Sequence, residues 1–234
     1  MSGFKKGLKD GIPIALGYLS VSFTFGLQGV KGGLSWWETV LISICNVTSA
    51  GQFAGLDIML SGGGFWIEMA CAQFIINLRY GLMSLSLTQK LADDVGIWKR
   101  LIIAFANTDE IFAVAMGYFK EVTFPYMLGL QILPILGWGG GTFAGAVASG
   151  LLPKSVCSAL SLALYGMFVA IVVPVAKKSK SVLFVVCVAA LFSILLYYVP
   201  IFHFISTGIS IVICTVAAAA IGAIVAPVKK KGEE

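Results

Sequence analysis

The sequence predicts an all-α membrane protein, a polytopic helix bundle of seven or eight transmembrane helices, on three observations. Of the 234 residues, 59% are hydrophobic and only 12% carry charge, far more apolar surface than one water-soluble core can bury. Mean hydropathy is +0.96. Apolar runs long enough to cross a bilayer as a helix, about 20 residues each, follow one another with short polar joints. Residues 1–234 therefore read as a single integral membrane domain with no extramembrane catalytic module.

The runs fall at about residues 12–30, 36–60, 65–87, 98–119, 125–150, 156–176, 181–199 and 204–227. Before the first stand Lys5, Lys6 and Lys9, which resemble the start of a signal peptide. No small-x-small cleavage site follows cleanly and further spans do, so this is an uncleaved first helix. In the second run, residues 45–55 (Cys-Asn-Val-Thr-Ser-Ala-Gly-Gln-Phe-Ala-Gly) mix polar side chains with helix-weakening glycines. Such backbone survives at membrane depth only inside protein or beside a wet cavity, so a broken or kinked helix is expected there. The fifth run has the same character at 134–145 (Pro-Ile-Leu-Gly-Trp-Gly-Gly-Gly-Thr-Phe-Ala-Gly), and a broken or kinked helix is expected there too.

An internal repeat is a further expectation. Ile12-Pro13-Ile14-Ala15-Leu16-Gly17-Tyr18 echoes Leu133-Pro134-Ile135-Leu136-Gly137-Trp138, and Thr24-Phe25-Gly26 echoes Thr142-Phe143-Ala144. Paired Gly/Pro-interrupted spans point to a transporter-type repeat with its site at the repeat interface. The likeness is short, and chance explains it equally well. Four full spans between the copies would make the repeat parallel.

With eight spans both termini share one side. That side would hold Lys5, Lys6, Lys9, Lys120, Lys177, Lys178, Lys180 and Lys229 to Lys231, against Lys31, Lys90, Lys99, Arg100 and Lys154 on the other. The positive-inside rule then places both termini in the cytoplasm. The loop 88–100 works against this count, and a re-entrant first or second run would leave seven spans.

Several function classes are excluded or weakened. The net charge of +5 comes from lysines at the ends of apolar runs, not from a stripe, so no nucleic acid is expected. Cys45, Cys71, Cys157, Cys187 and Cys214 are scattered without a CxxC and read as small apolar fillers, leaving no metal site and no cofactor. His203 is the only histidine, a weak candidate for a proton relay. Neither a P-loop nor a serine-histidine pair suited to proteolysis is present, so the chain is not expected to be an enzyme. No acidic ring or carbonyl-filter motif suggests a channel.

The chemistry lies in a few ionisable residues inside apolar runs. Charges in hydrocarbon cost roughly 2.5–3.5 kcal/mol each on insertion scales, so Arg79 in the third run and Asp109 with Glu110 in the fourth should face a polar cavity or each other. Gln73, Asn77 and Tyr80 share one helical face and form a polar seam. Asp109 and Glu110 point about 100° apart on a helix, so one can pair with Arg79 while the other titrates. Desolvation favours the neutral acid, which suits it to carry a proton. Equally, both acids can be structural. Gln52, with Asn46, Thr48 and Ser49 before it, can grip a zwitterion or an ion where the helix breaks, or simply bond neighbouring helices. Asp57 and Glu68 flank the Ser61–Gly64 turn and read as solvated.

These residues resemble a family. Gly11-Ile12-Pro13 with Gly17-Tyr18, Ala50-Gly51-Gln52-Phe53, Asn77-Leu78-Arg79, Thr108-Asp109-Glu110, and Gly137-Trp138 with Gly141-Thr142 match in order the AzlC-type branched-chain amino acid permeases, large subunits of LIV-E exporters. The likeness covers almost the whole chain. One departure is Tyr80, where many members carry histidine. The resemblance implies a bacterial inner-membrane exporter of leucine, isoleucine, valine and, as a further substrate, methionine. It implies an ion or proton gradient as driving force, and a small AzlD-type membrane subunit as partner.

On that basis the expected substrate-binding or ion-coupling residues are Gln52, Asn77, Arg79, Asp109 and Glu110. Arg79 would meet the substrate carboxylate or hold Asp109, and an acid would meet the ammonium or carry the proton. Phe53, Phe74 and Phe112 would wall the branched side chain. The competing reading is a membrane scaffold subunit whose polar residues only hold helices and recruit a partner.

Overall fold

The computed structural model describes residues 3–61, 66–153, 179–202 and 205–225, with single positions between 155 and 177. Gly62 to Gly64, Cys157, His203 and most of the run 156–176 lie outside the described residues. The helices are α1 (Gly3–Lys31), α2 (Trp36–Cys45), α3 (Ser49–Leu60), α4 (Trp66–Thr88), α5 (Ile97–Phe105), α6 (Asp109–Gly117), α7 (Phe124–Ala148), α8 (Lys180–Tyr198) and α9 (Thr207–Val225). Among the described residues the protein is all-α, as expected, with one isolated bridge between Leu91 and Val122. Among the described residues four helices, α1, α7, α8 and α9, are long and apolar enough to cross a membrane. The chain forms two compact units, Met1–Phe53 with Ile76–Ser161, and Ala54–Ile75 with Leu162–Glu234.

The first unit is built on α1 and α7. Gly7 lies against Tyr126 and Gly26 against Thr142, so the two helices run parallel. A Cβ at Gly26 would stand 2.1 Å from the Thr142 carbonyl oxygen, and one at Gly145 2.0 Å from that of Phe23, so the backbones touch and no larger residue fits. This is the small-residue packing that lets helices associate where lipid offers no hydrophobic drive. Of the broken or kinked helix expected at 134–145, the break does not occur. Helix α7 runs unbroken through that segment, and its glycines there serve close approach, Gly137 against Ala15 and Gly141 against Leu19. The two echoing segments lie side by side, with Tyr18 edge-on to Trp138 at 5.3 Å between ring centroids.

A second difference concerns the runs 36–60 and 98–119. Each is two short helices joined at an interruption, and each turns back there. Helix α2 starts after the Gly33 turn (φ 102°), with a capping box in which Glu38 accepts from the Ser35 N–H at 2.8 Å. It ends at Asn46 (φ −138°, ψ 85°). Joined end to end, α2 and α3 would be long enough to span. Instead Gln52 of α3 bonds back to Ser43 of α2, and Phe53 packs edge-on against Phe25 near the C-terminal end of α1 (5.4 Å). The chain therefore returns toward the end it entered from.

The α5–α6 pair enters from the opposite end. Lys99 stands over the Phe124 ring at the start of α7 (5.7 Å), and Gln131 Nε2 donates to the Ile103 carbonyl at 2.6 Å, so α5 runs alongside α7. The return is fixed by Lys90, whose ammonium donates to the Met116 carbonyl, and by the paired loops, Val122 N–H to Lys90 O at 2.9 Å and Ala92 N–H to Val122 O at 3.1 Å. This geometry gathers Lys5, Lys6, Lys9, Lys90, Lys99, Arg100 and Lys120 at the end where α1 and α7 begin, with Lys31 at the other.

In the second unit α3 and α4 pack through Gly55 against Met69 and Gln73, and α8 packs on α9 with Gly222 against Val185. Glu68 is not solvated as the sequence suggests. It is 5% exposed, and its carboxylate accepts from the Gly208 N–H at 2.7 Å in the first turn of α9, where the helix dipole favours an anion.

Candidate functional site

The tips of the two hairpins meet. Residues 45–48 at the first tip, Asn77 and Tyr80 of α4, and Ala104, Phe105 and Asn107 at the second line one polar cavity of about 280 Å³. The local sequence explains both interruptions. At the second tip Ala106 leaves the helix (φ −123°, ψ 35°), and Thr108 is extended (φ −78°, ψ 170°). Thr108 then opens α6 with two acids in its first turn, a favoured helix start. At the first tip the Thr48 carbonyl accepts the Gln52 N–H at 3.0 Å and opens α3.

The cavity's polar groups are tied across elements. The Thr48 hydroxyl lies 3.0 Å from both Asn77 Oδ1 and the Tyr80 hydroxyl, so α4 holds the first tip. Arg79 donates to the Tyr80 hydroxyl at 3.2 Å and pairs with Asp109 at 2.7 Å, both side chains 47% exposed. Tyr18 of α1 donates to Glu110 at 2.6 Å and also bonds Thr108. The arrangement is reciprocal. A tyrosine of α1 holds the second tip's threonine and a tyrosine of α4 holds the first's, with α1 and α4 oppositely directed.

Asn77 therefore lines the cavity, while Arg79, Asp109 and Glu110 stand just beside it in two pairs. Gln52 is elsewhere. It is 1% exposed, its carbonyl accepts from Trp138 Nε1 at 3.1 Å, and its amide donates to Ser43, which lies 2.6 Å from the Thr142 hydroxyl. Both ends of Gln52 are thus used in tying α3 to α2 and α7. Phe53 is buried against Phe25, and Phe112 packs against the core between α1 and α7. Phe74 belongs to the second unit and is 66% exposed. None of the three lines the cavity, whose apolar wall comes from Val47, Ala104 and Phe105.

Tyr18 and Asn107 stand in the sequence only as parts of longer patterns, and no sequence signal pairs residue 18 with residue 110. Among the described residues no cluster of three or more metal-ligating side chains occurs. A wider groove of about 650 Å³ in the second unit, bordered by Tyr198, Phe202 and Cys214, has no charged group among the described residues that line it.

The family model described as AzlC protein matches residues 13–152, a segment that holds both tips and the helices around them. Inner membrane protein YgaZ of Escherichia coli (strain K12) is 29% identical over 206 residues, 85% of this chain and 84% of that protein. An uncharacterized membrane protein of Archaeoglobus fulgidus is 32% identical over 176 residues, 73% of this chain and 75% of that protein. No solved structure matches the chain. With more than half its length matched and relatives that are themselves membrane proteins, the chain is a membrane protein that belongs to the AzlC family.

Proposed function

We propose that this chain is the large subunit of a secondary transporter, not an enzyme, that exports branched-chain amino acids (leucine, isoleucine, valine and also methionine) across the bacterial inner membrane. A proton or ion gradient drives it by alternating access, with a small AzlD-type subunit as partner. The observation that carries this reading is the polar cavity where two hairpins from opposite ends meet. Its 280 Å³ corresponds to roughly nine water volumes, enough for a molecule with as many heavy atoms as leucine. Interrupted helices offer a zwitterion what it needs, N–H groups at a helix start for the carboxylate and carbonyls at a helix end for the ammonium. Oppositely directed hairpins give each side of the membrane its own gate. The basic residues gathered at the end where α1 begins favour a cytoplasmic N-terminus, and the six-lysine complement of 177–180 and 229–231 favours the same side for the C-terminus. The Escherichia coli relative is named as an inner membrane protein, which supports the same membrane here.

The test is counterflow of radiolabelled leucine in proteoliposomes, with and without the small subunit. Counterflow is expected in the wild type, and Asp109→Asn or Glu110→Gln should abolish gradient-driven efflux while the protein still inserts. Full efflux in both variants would remove the acids from the mechanism. If Arg79→Leu loses complex formation and the wild type shows no counterflow, the half-exposed Arg79–Asp109 pair serves a scaffold instead.

A further inference from the structure

Among the described residues Glu68 of α4 is the one charged side chain that is buried. No lysine or arginine among them pairs with it, and its carboxylate accepts from a single backbone N–H, that of Gly208 in α9. An ionisable group kept without a counter-charge inside a membrane protein is costly and marks a place where charge changes. The helices packed around it bring no cation. From α3 come Ile58, whose Cδ1 lies with the Glu68 Cγ against Gly208, and Asp57, which is exposed. The other ionisable side chains of α4 and α9 in this unit are the thiols Cys71, which is exposed, and Cys214.

The N–H that Glu68 takes is one that a second residue is placed to take. Ser206 directly precedes α9, and its carbonyl accepts the Ser210 N–H at 3.0 Å, which makes it the N-cap of that helix. A serine there ordinarily accepts, through its hydroxyl, from the N–H two or three residues on, here Gly208 or Ile209. Instead the Ser206 hydroxyl is buried without a partner, one of two such side-chain atoms among the described residues. The competition has a physical order. A carboxylate is about twice as strong an acceptor as a neutral oxygen, and the positive end of α9 favours it further. A protonated carboxyl loses both advantages, whereas the serine regains the cost of a buried unbonded hydroxyl by capping. We propose that Glu68 is a proton-binding site whose proton exchanges the cap of α9. The ionised carboxylate takes the Gly208 N–H and ties α4 to α9. On protonation the Ser206 hydroxyl takes that N–H and the tie is released. This site is separate from the acid pair at the second tip, and it does not depend on what the chain transports.

The test is the Tm of the full detergent-purified chain at pH 5 and pH 8, each variant compared with the wild type at the same pH so that other titrating groups cancel. Glu68→Gln keeps the shape without the charge. It should lower Tm by about 2–4 °C at pH 8 and by less than about 1 °C at pH 5. Ser206→Ala should do the reverse, lowering Tm by about 2–4 °C at pH 5, where the hydroxyl is the cap, and hardly at pH 8, where it has no bond to lose. A fixed cap cannot give that crossing. In the Glu68→Gln background Ser206→Ala should cost the same at both pH values, and if Glu68→Gln does not fold, Ser206→Ala in the wild type still decides. His203, the only histidine, stands three residues before Ser206 in the sequence, so His203→Gln is the control. The crossing should persist in it, and its disappearance would assign the proton to His203 and overturn the site. An equal loss from Ser206→Ala at both pH values, or a cost of Glu68→Gln that does not change with pH, overturns it as well.

Discussion

The first hairpin is pinned to α7 by a buried set of neutral side-chain bonds, whereas the tip of the second is tied to α1 and α4 through charged side chains that water reaches. Gln52, Ser43, Thr142 and Trp138 form a closed set on α2, α3 and α7, which the Thr142 hydroxyl completes by donating to the Trp138 carbonyl at 3.0 Å. Arg79, Asp109, Tyr18 and Glu110 hold the other tip through groups whose strength changes with protonation or with a competing ion. A neutral network in a low-dielectric interior is permanent. A carboxylate pair can be released by one proton. On the transport cycle proposed above, the first hairpin would serve as scaffold and the second as the moving part.

The largest effect should come from breaking the permanent side. Gln52→Leu strands the Trp138 indole N–H, now bonded at 3.1 Å, in a site where water cannot replace it. A loss of roughly 2 kcal/mol is expected, a fall of about 4–8 °C in the Tm of the detergent-purified protein. Because no ionisable group takes part, the loss should be the same at pH 6 and pH 8. A loss confined to one pH would mean that the first hairpin is not independent of the charged tip.

Part of this division was legible in the sequence. Polar residues amid glycines at 45–55 marked the first tip, and the cost of unpaired charge foretold the Arg79–Asp109 pair. The doubling back stood in the sequence only as the alternative of a re-entrant first or second run, and could not be decided there, because two half-helices from one end contain the same number of apolar residues as one full span. At 134–145 glycine misled. A helix that breaks and a helix whose backbone touches its neighbour both need residues without side chains, and only the position of Phe23 and Thr142 shows which holds here. The second tip had a signal of another kind, since Thr108 followed by Asp109 and Glu110 reads as a helix start inside what otherwise passes for one span.

On the charged side, Tyr18→Phe removes the hydroxyl that joins α1 to Glu110 and Thr108. Glu110 is exposed enough to find water, so the stability loss should be near 1 kcal/mol, smaller than for Gln52→Leu. Gradient-driven efflux should fall about tenfold or more, with leucine counterflow retained, because substrate still enters the cavity while the state of Glu110 no longer reaches the α1–α7 pair. Equal loss of both activities would place Tyr18 in substrate binding and remove it from coupling.

Tyr80→Phe should have the smallest effect, and it tests the asymmetry itself. Tyr80 stands to the first tip as Tyr18 stands to the second, yet its hydroxyl is shared between a neutral threonine and an arginine that already has a carboxylate. Thr48 keeps Asn77 at 3.0 Å and Arg79 keeps Asp109 when the hydroxyl is gone, so stability should change by less than about 1 kcal/mol. Efflux and counterflow should fall together and only slightly, since no charged group loses its partner. If Tyr80→Phe uncouples efflux from counterflow as Tyr18→Phe is expected to, both tips move and the neutral network at Gln52 is a hinge, because a hairpin pinned to α7 could not transmit the change.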